Sequence, residues 1–162
     1  FSNDQRHTEH MSSPMNPLSP PLLQRGVALL EVLIAVLILA IGLLGLAGLQ
    51  AQALKTNQSS FQRTRAVMLS YFILDAMRAD RQAMLTGAYE RPKTCGVPAG
   101  GTLAQNNINF WIQEIKNSLG NTNESCGLIT CNAAGDCTVQ IWWDDSRAGG
   151  GVQQMIETRT RL

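Results

Sequence analysis

The sequence has few of the residues from which enzyme active sites are most often built. Its two histidines, His7 and His10, both lie near the beginning, so catalysis by a Ser or Cys nucleophile with a histidine base is not expected. No loop ends in Gly-Lys-Ser or Gly-Lys-Thr, which argues against a phosphate-binding P-loop. The net charge is +1 and no basic block follows residue 50. We therefore predict no enzymatic activity, no cofactor and no nucleic-acid partner.

Two adjacent carboxylates, Asp144 and Asp145, are the remaining candidates for metal or acid–base chemistry. A metal site would need further ligands and an acid–base pair would need a pocket, so we interpret them as a solvated turn. The neighbouring Trp142 and Trp143 alternate in direction along a strand. One is expected in the core and the other at the surface or in a subunit contact. No metal site is predicted.

Residues 27–49 contain almost no charge, and Glu31 is the only charged side chain among them. A helix of that length, at ~1.5 Å per residue, can cross a hydrocarbon layer of about 30 Å. We therefore predict a single membrane span. Arg25 directly precedes it and the next cation is Lys55, which favours a cytoplasmic N-terminus with the bulk of the chain outside the cytoplasm.

Residues 1–26 differ in composition from the rest of the chain. They contain several prolines among Ser, Asn and Gln, a composition that cannot bury enough apolar surface to fold. We interpret them as a cleaved, disordered leader, with Met11 and Met15 as candidate start residues.

Residues 50–86 are predicted to continue the span as an amphipathic helix, because residues 51–85 contain neither Gly nor Pro. Apolar side chains recur there near helical spacing and predict a stripe that needs a partner surface. The stripe consists of Leu54, Phe61, Met68, Phe72 and Ala76. Residues 66–77 are apolar on most sides, which predicts that this part of the helix is embedded in a folded domain.

Residues 87–162 are predicted to form that domain. Gly87 ends the long helix, and residues 91–101 are expected to be a loop because they are rich in Pro and Gly. A second helix is predicted from apolar residues at 3.6 spacing, with Gly120 at its left-handed stop. Those residues are Ile108, Trp111, Ile112, Ile115 and Leu119.

The rest of the domain is predicted to be a small antiparallel sheet. Residues 128–143 form two strands around a loop at 132–136, with Val139, Ile141 and Trp143 on one face. A last strand covers residues 153–161. Its shared face consists of Ile156, Thr158, Thr160 and Leu162. We predict an α+β fold in which one apolar face of this sheet packs on the long helix.

Cys95, Cys126, Cys131 and Cys137 all follow the span, and an even number there is typical of disulfides in an oxidising compartment. A zinc site is the alternative, but cysteine zinc sites usually show two close pairs, and Cys95 stands alone with no histidine after His10. Cys131 and Cys137 flank the hairpin loop and are expected to face each other, which leaves Cys95 for Cys126. Four cysteines allow three pairings, so the other two remain open.

Glu31 is the residue that most needs an explanation. A carboxylate inside a membrane span costs ~2.5 to 3.5 kcal/mol and commonly marks function. If the chain is cut after Gly26, Val27 bears a free ammonium that could pair with Glu31 of a neighbouring helix or with its own Glu31 one turn away. The alternative is that Glu31 lies at the lipid headgroup level.

The residues around Glu31 resemble a known signal. Gly26 is followed by VALLEVLIAVLIL, so that a basic residue and Gly precede a hydrophobic residue, with Glu five positions after Gly. This pattern is similar to the class III signal of type IV pilins and pseudopilins. A resemblance to the PilV family of minor pilins, the type IV pilus modification proteins, lies in the run AIGLLGLAGLQAQAL and in the late CTVQIWWDDSR. It covers residues 26–77 well and the C-terminal domain loosely.

The resemblance implies a pilin-like fold and a structural, non-enzymatic role. A prepilin peptidase would cleave between Gly26 and Val27 and methylate the new amine of Val27. The chain would be stored in the inner membrane with its domain in the periplasm. It would then enter a type IV pilus on the cell surface and take part in pilus initiation, twitching motility and adhesion. Its partners would be the major pilin, other minor pilins, the peptidase and the inner-membrane assembly platform.

The span departs from many major pilins because it contains no helix-kinking proline. Gly42, Gly45 and Gly48 are candidates to replace it, since each weakens a helix by ~1 kcal/mol relative to Ala and permits close helix approach. The alternative is ordinary tolerance of glycine in a membrane helix.

Two other functions fit part of the sequence. A minor pseudopilin of type II secretion shares the N-terminal features. A periplasmic binding or enzymatic domain with a Sec signal would use Ala51-Gln52-Ala53 as the cleavage site. The apolar run is longer than the ~7 to 15 residues of such signals, which argues against the second alternative.

Overall fold

The computed structural model describes the backbone of residues 24–162 and the side chains from residue 28 onward. The predicted leader therefore lies almost entirely outside the described residues. Helices and strands follow in the order α1 (Gln24–Ala79), α2 (Arg81–Leu85), β1 (Arg91–Thr94), α3 (Leu103–Leu119), β2 (Cys126–Cys131), β3 (Asp136–Trp143) and β4 (Gln154–Arg161). The predicted α+β class is confirmed, and the architecture is consistent with a pilin-like fold.

The chain divides after Gly45 into two compact units, and the second unit is Leu46–Leu162. Every buried core residue that the structure describes belongs to this second unit. Its core lies between the sheet on one side and α3 and the later part of α1 on the other. Trp111 Nε1 donates a hydrogen bond to the Leu69 carbonyl at 3.0 Å, which ties α3 to α1.

The buried face of α1 differs from the predicted stripe. Ala66, Ser70, Ile73 and Met77 are fully buried and follow helical spacing. Phe61, in contrast, is 57% exposed, as is Met68. Small side chains at positions 66 and 70 allow the helix to approach the sheet closely, and the Ser70 hydroxyl lies 3.0 Å from that of Thr158. The predicted stripe was therefore assigned to the wrong side of the helix: apart from Ala76, its residues are exposed.

The long helix also ends earlier than expected. It stops at Ala79, because Asp80 leaves helical geometry with φ −116° and ψ 48°, and α2 follows. The Tyr89 hydroxyl donates a hydrogen bond to the Asp80 carboxylate at 3.3 Å. This hydrogen bond links the residue at the break between the two helices to the segment that precedes β1. Gly87, with φ +82°, follows the end of α2.

The sheet has four antiparallel strands in the order β1-β2-β3-β4. β1 is a strand that the sequence did not predict, since residues 91–94 were assigned to a loop. It pairs with β2 only at Arg91 with Ile129 and at Thr94 with Gly127, with a shift of register between them. Pro92 has no N–H to donate, so this segment can be a strand only at a sheet edge.

The remaining elements agree with the periodicity of the sequence. In β3, Val139, Ile141 and Trp143 are at most 1% exposed. Thr102 and Gln105 form a capping box at the start of α3. Gly120 ends the helix at a positive φ of +115°, but its ψ of +135° lies outside the left-handed helical conformation that was predicted. All five apolar residues predicted for this helix are buried.

Close contact between α3 and β2 depends on Gly127. A Cβ at this position would lie 2.5 Å from Trp111 Cη2 and 2.8 Å from Ile112 Cδ1. We expect Gly127→Ala to lower the free energy of unfolding by about 1–3 kcal/mol, because the core would have to move apart. Denaturant unfolding of the detergent-solubilised chain, followed by tryptophan fluorescence, measures this. Gly96→Ala is the control, since a Cβ there meets nothing within 4 Å. Equal stabilities of the two variants would contradict the account.

Candidate functional site

The most unusual surface of the chain is the first part of α1. Between residues 29 and 49, every Leu, Ile and Val is exposed, by 48 to 74%. Burial of one such side chain is worth roughly 1.5–3 kcal/mol, so this segment is unfavourable in water over its whole circumference. The helix is long and apolar enough to cross a membrane. It is therefore compatible with a single-pass membrane protein.

Glu31 is the one charged residue of this surface, and it is exposed. Among the residues whose side chains are described, no ion pair includes it. In sequence, the cations on either side of it are Arg25 and Lys55. Residues 28–49 therefore supply no cation of their own to neutralise this carboxylate.

Gly26 and Val27 lie within α1, whose backbone is helical from Gln24. Glu31 follows Val27 by four residues, so a free amine there would lie one helical turn from the carboxylate. Cleavage and methylation at this position stay predictions.

Gly42, Gly45 and Gly48 lie in unbroken helix, and a Cβ at any of them would meet nothing within 4 Å. The surface around them is open, so another helix could approach closely there. Their predicted role in unwinding the helix during assembly stays a prediction.

The domain is cross-linked at two places. Cys95 is joined to Cys126, and Cys131 is joined to Cys137. This pairing was predicted from the positions of Cys131 and Cys137 on either side of the hairpin loop, and it is confirmed. The first bond ties the segment after β1 to the start of β2, and the second closes the β2–β3 hairpin.

The structure corrects the interpretation of Asp144 and Asp145 as a solvated turn. Asp145 is only 3% exposed, and it accepts a hydrogen bond of 2.5 Å from the Ser59 hydroxyl of α1. Gly150 leaves the space that this carboxylate occupies, because a Cβ there would collide with it. Asp144 is only partly buried, and hydrogen bonds from Ser146 lower the pKa of its carboxyl.

The contact between Ser59 and Asp145 holds the loop before β4 against α1. The sequence could not show it, since the two residues are 86 positions apart. The one signal in the sequence is the run of glycines at 149–151, but glycines alone do not show that they make room for a buried side chain.

Trp142 and Trp143 divide as predicted. Trp143 is 1% exposed and lies in the core. Trp142 is half-buried on the other face of the sheet, with the Lys93 ammonium 4.6 Å from its ring centroid. This cation–π contact joins β1 to β3.

Comparison with known proteins gives no match: no family model, curated protein or solved structure matches the chain. Function has to be inferred from the motif and the geometry described above.

We expect Ser59→Ala to lower the free energy of unfolding by about 1–3 kcal/mol, because it leaves the buried Asp145 carboxylate without its hydrogen-bond donor. Ser60→Ala is a matched control, since Ser60 is exposed and its change should stay within about 0.5 kcal/mol. Both are measured by denaturant unfolding in detergent. If Ser59→Ala were as stable as Ser60→Ala, the contact would not stabilise the domain.

Proposed function

We propose that this chain is a minor pilin, a non-enzymatic structural subunit of a type IV pilus, of the PilV type. The observation that carries the proposal is the exposed apolar helix with a single carboxylate five residues after Gly26. The same chain carries a disulfide-bonded domain with its own core. An anchor and a separately folded domain are the two parts that such a subunit needs.

The apolar segment supports assembly because it can exchange one apolar environment for another. In the inner membrane it would be covered by lipid, and in a filament by the helices of other subunits. Since both environments remove the same side chains from water, the transfer costs little hydrophobic free energy. Van der Waals packing at Gly42, Gly45 and Gly48 would then favour the helix bundle.

Glu31 adds specificity to this exchange. Unpaired in lipid, its carboxylate costs ~2.5 to 3.5 kcal/mol. In the filament it would pair with the methylated amine of Val27 on an adjacent subunit, which relieves that cost. Processing would thus make the chain competent for assembly, because only the cleaved form has this amine.

The domain suits an oxidising environment. Its cysteines are all paired in disulfides within the described part of the chain. The chain would wait in the inner membrane with this domain in the periplasm, and later present it on the pilus surface. The proposed partners are the major pilin, other minor pilins, the prepilin peptidase and the assembly platform.

The N-terminus of the mature chain tests the processing step. We expect mass spectrometry of the membrane-resident chain to find methyl-Val27 as its first residue, since the peptidase would cut after Gly26. A chain that retains residues 1–26, or one cut near Thr56, would contradict the proposal.

Glu31 tests the assembly step. We expect Glu31→Val to be cleaved and to stay in the inner membrane, but to fall about tenfold or more in sheared pili, as expected for a lost pairing of at least ~1.4 kcal/mol. Quantitative immunoblots of membranes and pili measure both. Glu31→Asp, which keeps the charge, is the control and should be incorporated better than Glu31→Val. Normal incorporation of Glu31→Val would remove this explanation of the charge.

A deletion strain separates the proposal from its closest alternative. Loss of twitching motility with intact protein secretion is expected of a minor pilin. Loss of secretion with intact motility would assign the chain to the pseudopilins instead.

A further inference from the structure

A cavity of about 410 Å³ lies between α1 and the loop that precedes β4. The loop contributes residues 148–150, and α1 contributes five polar side chains, those of Gln52, Lys55, Thr56, Ser59 and Ser60. All of these residues belong to the unit Leu46–Leu162. A polar cavity thus lies directly after the apolar segment of the same helix.

The loop wall of this cavity is held in place but contributes no large side chain. The Asp145 carboxylate accepts the hydrogen bond from Ser59, and this contact fixes the loop against α1. Ala148, Gly149 and Gly150 then lie opposite the helix with no group larger than a methyl. The cavity therefore has a fixed wall and space for a ligand group.

Lys55 is the only charged side chain that lines the cavity. Among the described residues, no hydrogen bond or ion pair includes its ammonium or the side chains of Gln52 and Ser60. The Asp145 carboxylate contacts Ser59 and does not line the cavity. The cavity thus offers free N–H and O–H donors together with one positive charge. An anion with several acceptor oxygens fits this set of donors.

The position of the cavity along α1 indicates which anion this is. Leu49 is the last residue of the apolar segment, and Gln52 and Lys55 follow it in the same unbroken helix. At ~1.5 Å per residue, Gln52 lies ~4.5 Å and Lys55 ~9 Å beyond Leu49 along the helix axis. Helix side chains lean toward the N-terminal end of their helix, which here is the apolar end.

Lipid headgroups occupy the corresponding layer of a membrane. They add roughly 5 to 7 Å to each side of a hydrocarbon core of about 30 Å. When the residues up to Leu49 lie in hydrocarbon, the Lys55 ammonium therefore reaches the lipid phosphates. Phosphate is an anion that phospholipids present in this layer, and its oxygens accept hydrogen bonds.

We propose that this cavity binds the phosphate group of a membrane phospholipid, with Lys55 as the ionic contact and Gln52 and Ser60 as hydrogen-bond donors. The inference rests on the proposed function for the membrane-stored form of the chain, and it names a ligand of that form. A bound headgroup would hold α1 at one depth and one rotation in the membrane. Extraction into a filament would release the headgroup.

A phosphate group could also come from a soluble molecule, but the cavity favours the lipid. A free phosphate would lose part of its hydration for a single ionic contact with Lys55. A lipid is held beside the cavity by its acyl chains, so its headgroup binds at a high effective concentration. The lipid is therefore the source that we expect.

Hydrogen–deuterium exchange of the detergent-solubilised full chain tests the proposal. The chain is titrated in dodecyl maltoside, which has no phosphate, and the protection of residues 146–151 reports the affinity at the cavity itself. The three probes are dioctanoylphosphatidylglycerol, dioctanoylglycerol and inorganic phosphate. We expect the phospholipid to bind about tenfold or more tighter than either of the others, since only it has both acyl chains and a phosphate.

Matched variants separate a bound phosphate from a general attraction to positive charge. Lys55→Gln should weaken phospholipid binding about fivefold or more, because it removes the ionic contact. Arg63→Gln removes a positive charge from the same helix outside the cavity, and it should change binding by less than about twofold. Lys55→Arg keeps the charge and should bind better than Lys55→Gln.

A second variant tests a hydrogen-bond donor of the cavity. Ser60→Ala should weaken phospholipid binding about two- to threefold, since it removes one donor from an exposed side chain. Thermal unfolding checks that each variant is folded. Lys55 and Ser60 are both exposed, so we expect these variants to keep the stability of the parent chain.

Three results would overturn the proposal. Equal protection by dioctanoylglycerol would show that lipid covers these residues without a phosphate site. Equal weakening by Lys55→Gln and Arg63→Gln would show that the cavity is not where the phosphate binds. Binding of inorganic phosphate as tightly as the phospholipid would make the ligand a soluble one.

The outcomes distinguish this inference from the proposed function, because the purified chain needs no pilus. If binding that depends on Lys55 is missing from a chain that begins at methyl-Val27, the inference is wrong and the proposed function stands. If such binding is found on a chain that does not begin at Val27, the phosphate site stands and the proposed function is wrong.

Discussion

The removal of the apolar surface of α1 from water is the requirement on which the rest of this structure depends. Its side chains are exposed on all sides between residues 29 and 49, and the domain keeps a separate core in residues 46–162. The side chains of that core are already buried and do not cover the apolar side chains of residues 29–49. Nothing in the part of the chain that the structure describes covers this surface, so lipid or another protein is expected to cover it.

The sequence predicted those parts of the fold in which one element determines its own pattern. α3 and β3 each bury one clean face, and the hairpin loop brings Cys131 opposite Cys137. The prediction from sequence failed where the burial of a residue depends on a partner that is distant in the chain. Residues 66–77 are apolar on most sides, so periodicity did not select the side on which small residues meet the sheet. β1 carries a proline and becomes a strand only because β2 lies beside it, and Asp145 is buried only because Ser59 faces it.

The candidate functional surfaces also divide into features that one short segment determines and features that depend on the whole fold. A glycine, a following hydrophobic residue and a carboxylate at fixed spacing can be recognised without a structure, since they act within one helical turn. The cavity beside Lys55 cannot be recognised in this way. Its two walls are far apart in the chain, and only the fold brings residues 148–150 opposite this part of α1.

These surfaces would contribute different information to storage in the membrane and to assembly. An apolar helix supplies affinity, but because it is apolar on every side it defines neither axial position nor rotation against a neighbour. The proposed charge pair at Glu31 would define axial position, since a displacement of one turn separates the charges. The proposed phosphate site would define rotation while the chain is in the membrane, because its hydrogen bonds are directional and lie on one side of α1. A subunit that is stored in a membrane before it enters a fixed place requires all three kinds of information, and this chain has a candidate for each.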